Sequence, residues 1–359
     1  MAKDMHKSKW DNATLTKLNV FEQYVNDWLN VTLNFNQDDE VYDTLEIYDL
    51  FCGSGFDGTK IERGSPIRIL DAVLKRNKKG KIIKIYFNDK DKNKIEELEQ
   101  TINENYKNLK SENIELYFSY KDVSNYIIDS KKYYKLIFLD EYGIQHINKI
   151  KDFLRNGTDI LIFISSGHVR RFLGEDSFQK YFDTTLIYKK DFEGKSNYGT
   201  HRVISNYFKK LFPNRYISPF SLIKDNNNIN GIIFISNHKK GQEQFLKTAW
   251  AIDKDFGEDN VNLDRDIIKD KGSLFYSDIA PSEKEQKYKI ILIDFLKEQR
   301  TNIEIKDFGL NNGFLPKHTN KIFKEIQNNL DFEYCNDATK GFHLDDKKIK
   351  VKIRYKNEN

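Results

Sequence analysis

From residue 45 to residue 165 the chain alternates short, nearly continuous apolar runs with longer stretches of helical periodicity. Leu45–Phe51, Ile82–Phe87, Ile114–Phe118, Tyr134–Asp140 and Asp159–Ser165 read as five strands. Helices are expected at 66–76, 91–109 and 145–155, with a short one after Asp122. Strands without a polar face are buried on both sides. The alternation therefore predicts an α/β, Rossmann-like domain: a mostly parallel sheet with helices on both faces. Upstream, Leu15, Leu18, Phe21, Val25, Trp28 and Leu29 recur at helical spacing and predict a packing helix over 13–33. Downstream, Tyr216–Ile223 and Ile229–Ser236 flank the turn sequence Lys224–Asn228, so the sheet is expected to end in an antiparallel hairpin. Residues 166–215 read as a polar helical insertion, broken near Gly194–Thr200, and 240–254 as one more helix.

The period is lost over 255–282, which reads as a linker closing a first domain at 1–254. Ser282 and Glu285 have capping-box spacing and open a helix over 283–299. Further helices are expected near 304–310 and 317–329, and a two-stranded ribbon from Gly341–Leu344 and Lys347–Lys356. Three helices and a ribbon predict a winged-helix-like domain over 283–359.

Composition narrows the function classes. The 359 residues carry 59 Lys+Arg against 55 Asp+Glu, a net charge of +4, so any basic surface must be local. Two cysteines, Cys52 and Cys335, form neither a disulfide framework nor a four-thiolate metal site, and no other metal-ligand set is read. The N-terminal stretch lacks the apolar core of a signal peptide, and no apolar run reaches the ~18–20 residues that span a bilayer. A soluble, cytoplasmic protein is expected, with no membrane association.

The candidate chemistry sits at the strand ends. Asp49-Leu-Phe-Cys-Gly53-Ser54-Gly55 follows the first strand, where glycines let the backbone turn sharply and approach a ligand. It is neither G-x-G-x-x-G nor a P-loop, and a plain tight turn explains it as well. Asp89 ends the second strand, where a carboxylate can take both ribose hydroxyls of a nucleoside, with Asp91 as a rival or a helix cap. Asp122 follows the third strand and either meets a base or caps a helix. Leu139-Asp140-Glu141-Tyr142-Gly143 ends the fourth. Asp140 can accept a proton from an amine or hydroxyl, or cap the next helix; Tyr142 can stack on a planar substrate. The fold gathers these positions at one sheet edge.

These stretches resemble a class I S-adenosylmethionine-dependent methyltransferase. More narrowly, the chain resembles the three-Cys-motif partner protein family. The match runs through Thr16-Lys17-Leu18 with Tyr24 and Trp28, Asp49–Gly55, Gly64-Ser65-Pro66 with Leu70, Phe87–Asp91, Leu139–Gly143, and Ile235–Gly241 with Trp250. The resemblance implies S-adenosylmethionine as cofactor, held by Asp49, Gly53, Ser54, Gly55, Asp89 and Asp122, with Asp140 and Tyr142 as catalytic residues. It also implies a radical-type partner protein carrying three cysteines, and a mobile-element or antiphage setting. Where the family has Asp-Pro-aromatic-Gly this chain has Asp140-Glu141-Tyr142-Gly143, and Asp89 stands where Glu is common.

Two basic surfaces suggest nucleic acid as a partner. Lys348, Lys350, Lys352 and Arg354 share one face of the last strand, and Lys317 and Lys321 one side of the preceding helix; together they make a phosphate-binding wing and recognition helix, or a solvated strand edge. A second cluster runs from His168, Arg170 and Arg171 through Lys189, Lys190, His201 and Arg202 to Arg215, interleaved with tyrosines. The reading is therefore a methyltransferase acting on nucleic acid or a nucleotide-related acceptor. The rival is a non-enzymatic protein that keeps a Rossmann-like scaffold and binds nucleic acid or a partner. Oligomeric state is not legible.

Overall fold

The computed structural model describes residues 9–35, 43–129, 133–141, 144–194, 199–223, 229–260, 282–335 and 338–356. The expected turn at 224–228, most of the break at 194–200 and most of the linker at 255–282 lie outside them. The chain divides into two compact units, Met1–Thr248 and Ala249–Asn359.

The first unit runs α1 (Asn12–Leu33), β1 (Thr44–Asp49), α2 (Ser65–Leu74), β2 (Ile82–Asn88), α3 (Lys92–Asn105), β3 (Ile114–Ser119), β4 (Tyr134–Leu139), α4 (Ile150–Phe153), β5 (Thr158–Ile164), α5 (Ser166–Phe172), α6 (Asp176–Gln179), α7 (Thr200–Leu211), β6 (Tyr216–Ile223), β7 (Ile229–Ser236) and the start of α8 (Lys239–Ile252). Its seven strands lie in the order β3-β2-β1-β4-β5-β7-β6. All pairs are parallel except β5–β7 and β6–β7, the hairpin the sequence predicts. Winding reverses between β1 and β4, the switch point at which open α/β sheets bind ligands.

Register explains how a charged strand sits in the core. Tyr48, Tyr86 and Tyr117 are in register across β1, β2 and β3, and their rings stack at 4.4 and 4.7 Å. Two residues earlier, Glu115, Lys84, Glu46 and Lys135 form a row of alternating sign. At its centre Lys135 Nζ meets Glu46 Oε2 at 3.1 Å with both side chains fully buried. The Tyr48 hydroxyl donates to the same carboxylate at 2.8 Å. On the other face α1 packs Phe21 on Phe138 and Tyr24 on Phe234. Arg68 of α2 donates to Glu22 (2.7 Å) and Asn19 (2.9 Å) of α1, and Trp28 is buried beneath them.

The lower sheet edge holds a closed polar knot. Tyr24 donates to buried Asp159 at 2.8 Å. A Cβ at Gly241 would lie 2.6 Å from Ser236 Oγ and 3.0 Å from Asp159 Oδ1, so only glycine lets α8 start there. Burial pushes the Asp159 carboxyl up to about 6, against the hydrogen bonds from Ser236 and Tyr24.

The second unit runs α9 (Glu283–Phe295), β8 (Arg300–Thr301), α10 (Asn302–Asn311), α11 (Pro316–Ile326), β9 (Leu330–Tyr334) and β10 (Val351–Tyr355). The Ser282–Glu285 capping box forms as expected. Three expectations need correction. Gly341–Leu344 is not a strand. The partner of β10 is Leu330–Tyr334, and Arg300–Thr301 flanks the other side, so β10 is central in a three-stranded sheet. Residues 253–260 pack rather than link: Phe256 is buried, and Glu258 pairs with Lys284 at 3.2 Å. Trp250 anchors this unit, donating to Gly313 O at 3.0 Å with His318 stacked at 3.9 Å. Burial, then Lys317, Lys284 and Lys321, push His318 down to about 3.

Removing one partner of a buried ion pair strands the other charge. Lys135→Met is expected to cost about 3–5 kcal/mol in denaturant unfolding. Adding Glu46→Gln, which keeps an acceptor for Tyr48, should recover most of that loss.

Candidate active site

The glycine loop leaves β1 at Asp49 and enters α2 at Gly64–Ser65. Gly53 (φ 62°) and Gly55 (φ 93°) take left-handed backbone that other residues rarely adopt, and a Cβ on Gly55 would sit 2.9 Å from Leu98 Cδ1. The loop is tied to β2: Cys52 N–H donates to Asn88 O (3.0 Å) and Gly53 N–H to Asp89 Oδ2 (3.1 Å). The other Asp89 oxygen takes the Asp91 N–H at 2.9 Å. Two backbone donors thus hold Asp89 against the loop, and each oxygen keeps a lone pair free for an outside donor.

Asp49 is fully buried at the head of this loop. Its Oδ1 takes the Phe51 N–H at 3.4 Å, while Oδ2 has no hydrogen-bond partner among the described residues. Burial pushes the carboxyl up to about 7; the nearby Ser65 hydroxyl and the Phe51 N–H pull it down, and Asp140 and Asp89 add to the rise.

Beside the loop lies a cavity of about 450 Å³. Trp10, Thr14 and Lys17 of the α1 end form one wall, and Phe51, Cys52 and Gly55 of the loop another. Asp140 and Glu141 follow β4, Phe163 and Ser165 end β5, His168 and Arg171 come from α5, and Asn230 from β7. Asp140 does not cap a helix. Its Oδ2 takes a short ion pair from Lys17, whose ammonium also lies 4.7 Å from the centre of the Phe163 ring.

Glu141, buried where a proline was expected from the resemblance, has its own partner. It accepts the backbone N–H of His146 (3.1 and 3.2 Å) and the ring Nδ1–H at 2.6 Å. The other ring nitrogen lies 3.6 Å from Asp122 Oδ1. The Glu141 hydrogen bond, helped by the charges of Glu141 and Asp122, raises the His146 pKa against its partial burial.

The sequence-derived candidates separate accordingly. Gly55 and Asp140 line the cavity. Asp49, Gly53, Ser54 and Asp89 lie on or beside the loop, and Asp122, the N-cap of the turn at 123–125, accepts Ser124 N–H at 2.8 Å and lies 3.6 Å from His146. Asp91 caps α3. Tyr142 falls outside the described residues.

Among chains of known structure, similarity is to Trm1 from Pyrococcus horikoshii with S-adenosyl-L-methionine: 14% identity, TM-score 0.34, covering 66% of this chain and 58% of that one. Similarity extends to a SAM-dependent methyltransferase from Methanosarcina mazei (13%, TM-score 0.30, 56% and 94%) and the N-terminal domain of human METTL16 in complex with SAH (9%, TM-score 0.32, 65% and 73%). No family model matches the sequence, and no curated protein does either. The Rossmann-like assignment rests on strand order and register.

In the second unit Lys317, Lys348 and Arg354 are exposed, and Lys352 and Lys321 have acidic partners. Lys352 pairs with Glu333 on β9 at 2.8 Å, and Arg354 lies opposite Asp331. The Lys348 carbonyl accepts from Asn302, and the Lys350 N–H donates to the same side chain. On α11, Lys321 lies 3.4 Å from Glu285 and Lys317 is exposed. In the first unit, His201 is buried, accepting from Ser166 Oγ (2.7 Å) and donating to Ile232 O (3.1 Å), so it leaves the second basic cluster. Among the described residues no helix is long and apolar enough to cross a membrane.

Sequence reasoning missed two pairings. Lys17 meets Asp140 across 123 positions, and His146 pairs with Glu141 five positions before it.

Both raised groups destabilise in the same pH direction. The Asp49 carboxyl favours folding while protonated, and that stability is lost as pH rises from about 4 through about 7. Asp49→Asn should therefore be the more stable form near pH 8 by roughly 3–5 kcal/mol, an advantage that fades towards pH 4. The His146 contribution is present below the ordinary histidine range and lost as pH climbs through its raised value. An NMR titration of His146 should show that midpoint fall back in Glu141→Gln.

Proposed function

We propose that the chain is an S-adenosylmethionine-dependent methyltransferase acting on nucleic acid or a nucleotide-related acceptor. The observation that carries this reading is the convergence, at the β1/β4 switch point, of a glycine loop locked by Asp89 and a cavity-facing carboxylate, Asp140. The residues fit the cofactor. Asp89 has lone pairs left for ribose hydroxyls. Asp49 sets a fully buried carboxyl beside the Ser65 hydroxyl at the head of the loop. Gly55 keeps the loop free of side chain. The cofactor supplies an electrophilic methyl group; the protein binds it, excludes water and orients the acceptor. Asp140, steadied by Lys17, would accept a hydrogen bond from the acceptor amine or hydroxyl and draw its proton away as the new bond forms. Phe51 and Phe163 give a planar acceptor two aromatic walls.

The finer expectations belong to the same proposal. The order helix, short strand, two helices and two strands in the second unit supports a winged helix. A three-cysteine radical-type partner, in an antiphage or mobile-element setting, follows from the sequence resemblance alone. One observation favours the non-enzymatic alternative: Lys17 already occupies one oxygen of Asp140.

Calorimetric titration with S-adenosylmethionine tests the reading. Asp89→Ala should weaken binding at least ~10-fold, as expected when a bidentate ribose contact is lost. Asp140→Asn should leave affinity within about twofold while cutting transfer of labelled methyl to bulk RNA or DNA by at least ~100-fold. Absence of binding by the intact protein sinks the proposal.

A further inference from the structure

One segment beside the cavity carries a local excess of positive charge. Residues 166–215 hold 10 Lys+Arg against five Asp+Glu, whereas the whole chain is only +4. This segment builds α5 to α7, and α5 forms the cavity wall through His168 and Arg171. From the cavity a cationic track leads outward. Arg171 is exposed, its guanidinium 5.8 Å from the Phe172 ring. One turn on, Lys189 lies against Gly174, its Cδ 3.9 Å from where a Cβ would stand. Next to it Lys190 sits 5.1 Å over the ring of Tyr188, which is 45% exposed. The nearest acid in this turn, Asp191, is occupied by the Tyr188 N–H at 2.9 Å, and Glu175 lies near His168.

We infer that the α5–α7 cap, rather than the second unit, is the docking surface for a single-stranded polynucleotide, whose terminal or looped-out base enters the 450 Å³ cavity. The inference rests on the methyltransferase reading for what happens in the cavity, and on charge and ring placement for the track. Alternating cations and exposed rings match alternating phosphates and bases, and stacking on rings is indifferent to sequence. Trp10, Phe51 and Phe163 are flat walls for a base, and only an unstacked base can reach them, which disfavours an intact duplex. An acidic peptide would meet the same cations but has no planar group for these walls. The charges inside the cavity agree: Lys17 balances Asp140 and His146 balances Glu141, leaving Arg171 to meet a phosphate at the mouth.

The test uses the full chain and fluorescence anisotropy with labelled single-stranded RNA, single-stranded DNA and a duplex of about 12 nucleotides, a length within the usual single-strand site sizes. The intact protein should bind single strands in preference to the duplex, and the tighter of RNA and DNA identifies the sugar. Lys189→Glu with Lys190→Glu should weaken the single strand at least ~10-fold and lower the salt slope by about 1–2. Tyr188→Ala should weaken it about fivefold or more through lost stacking. Lys348→Glu with Arg354→Glu should change it less than about twofold, the size of an exposed charge removed from the contact. Thermal unfolding of each variant checks that the fold is kept. Cap variants that bind as well as the intact protein, a loss confined to the Lys348/Arg354 variant, or no single-strand binding by the intact protein would each overturn the inference. Titration of the same samples with S-adenosylmethionine separates the two claims. Strand binding that depends on the cap in a protein with no cofactor affinity would refute methyl transfer and leave the docking surface in place.

Discussion

Four carboxylates stand at the carboxyl edge of the sheet, and the cost of taking their charge out of water is the constraint that this end of the molecule must meet. Charges of one sign in a medium poorer than water in screening cannot all remain ionised without partners. Each carboxylate has a different solution. Asp89 takes two backbone N–H groups, Asp140 takes a lysine from α1, and Glu141 takes a histidine. Asp49 accepts one backbone N–H, from Phe51, and burial pushes it towards its neutral form.

Much of the fold was legible because its signals are local. The apolar runs at 45–51, 82–87, 114–118, 134–140 and 159–165 are strands since no amphipathic period competes with them, and the hairpin declared itself by its turn. The missed strand, Leu330–Tyr334, alternates Leu, Phe and Tyr with Asp and Glu directly after a helix, so a helical end and a short strand look alike there. Asp91 and Asp122 read as ligand or cap because a carboxylate before a helix serves either purpose; both form caps, a role compatible with holding a ligand. Lys17 could be quoted as part of a pattern but not understood, since its partner is supplied by packing rather than by neighbourhood in sequence.

The same limit applies to charge. The alternation of Lys348 to Arg354 reads as a uniformly basic face until β9 is set beside it, where Glu333 pairs with Lys352 and Asp331 with Lys356 while Lys348 and Arg354 stay exposed. In the cap, Lys180 and Lys190 each lie over a tyrosine ring. Some residues that carry the family resemblance also prove structural. Tyr24 and Gly241 meet at Asp159, on the edge of the sheet away from the glycine loop.

The three tryptophans divide the molecule among themselves. Trp10 stands in the cavity wall, Trp28 is carried by α1 into the core, and Trp250 anchors the second unit. Each indole therefore samples a different polarity and quenching environment. Retaining one at a time and replacing the others by phenylalanine would give the protein three separate optical channels: occupancy of the cavity, melting of the large sheet, and melting of the small domain.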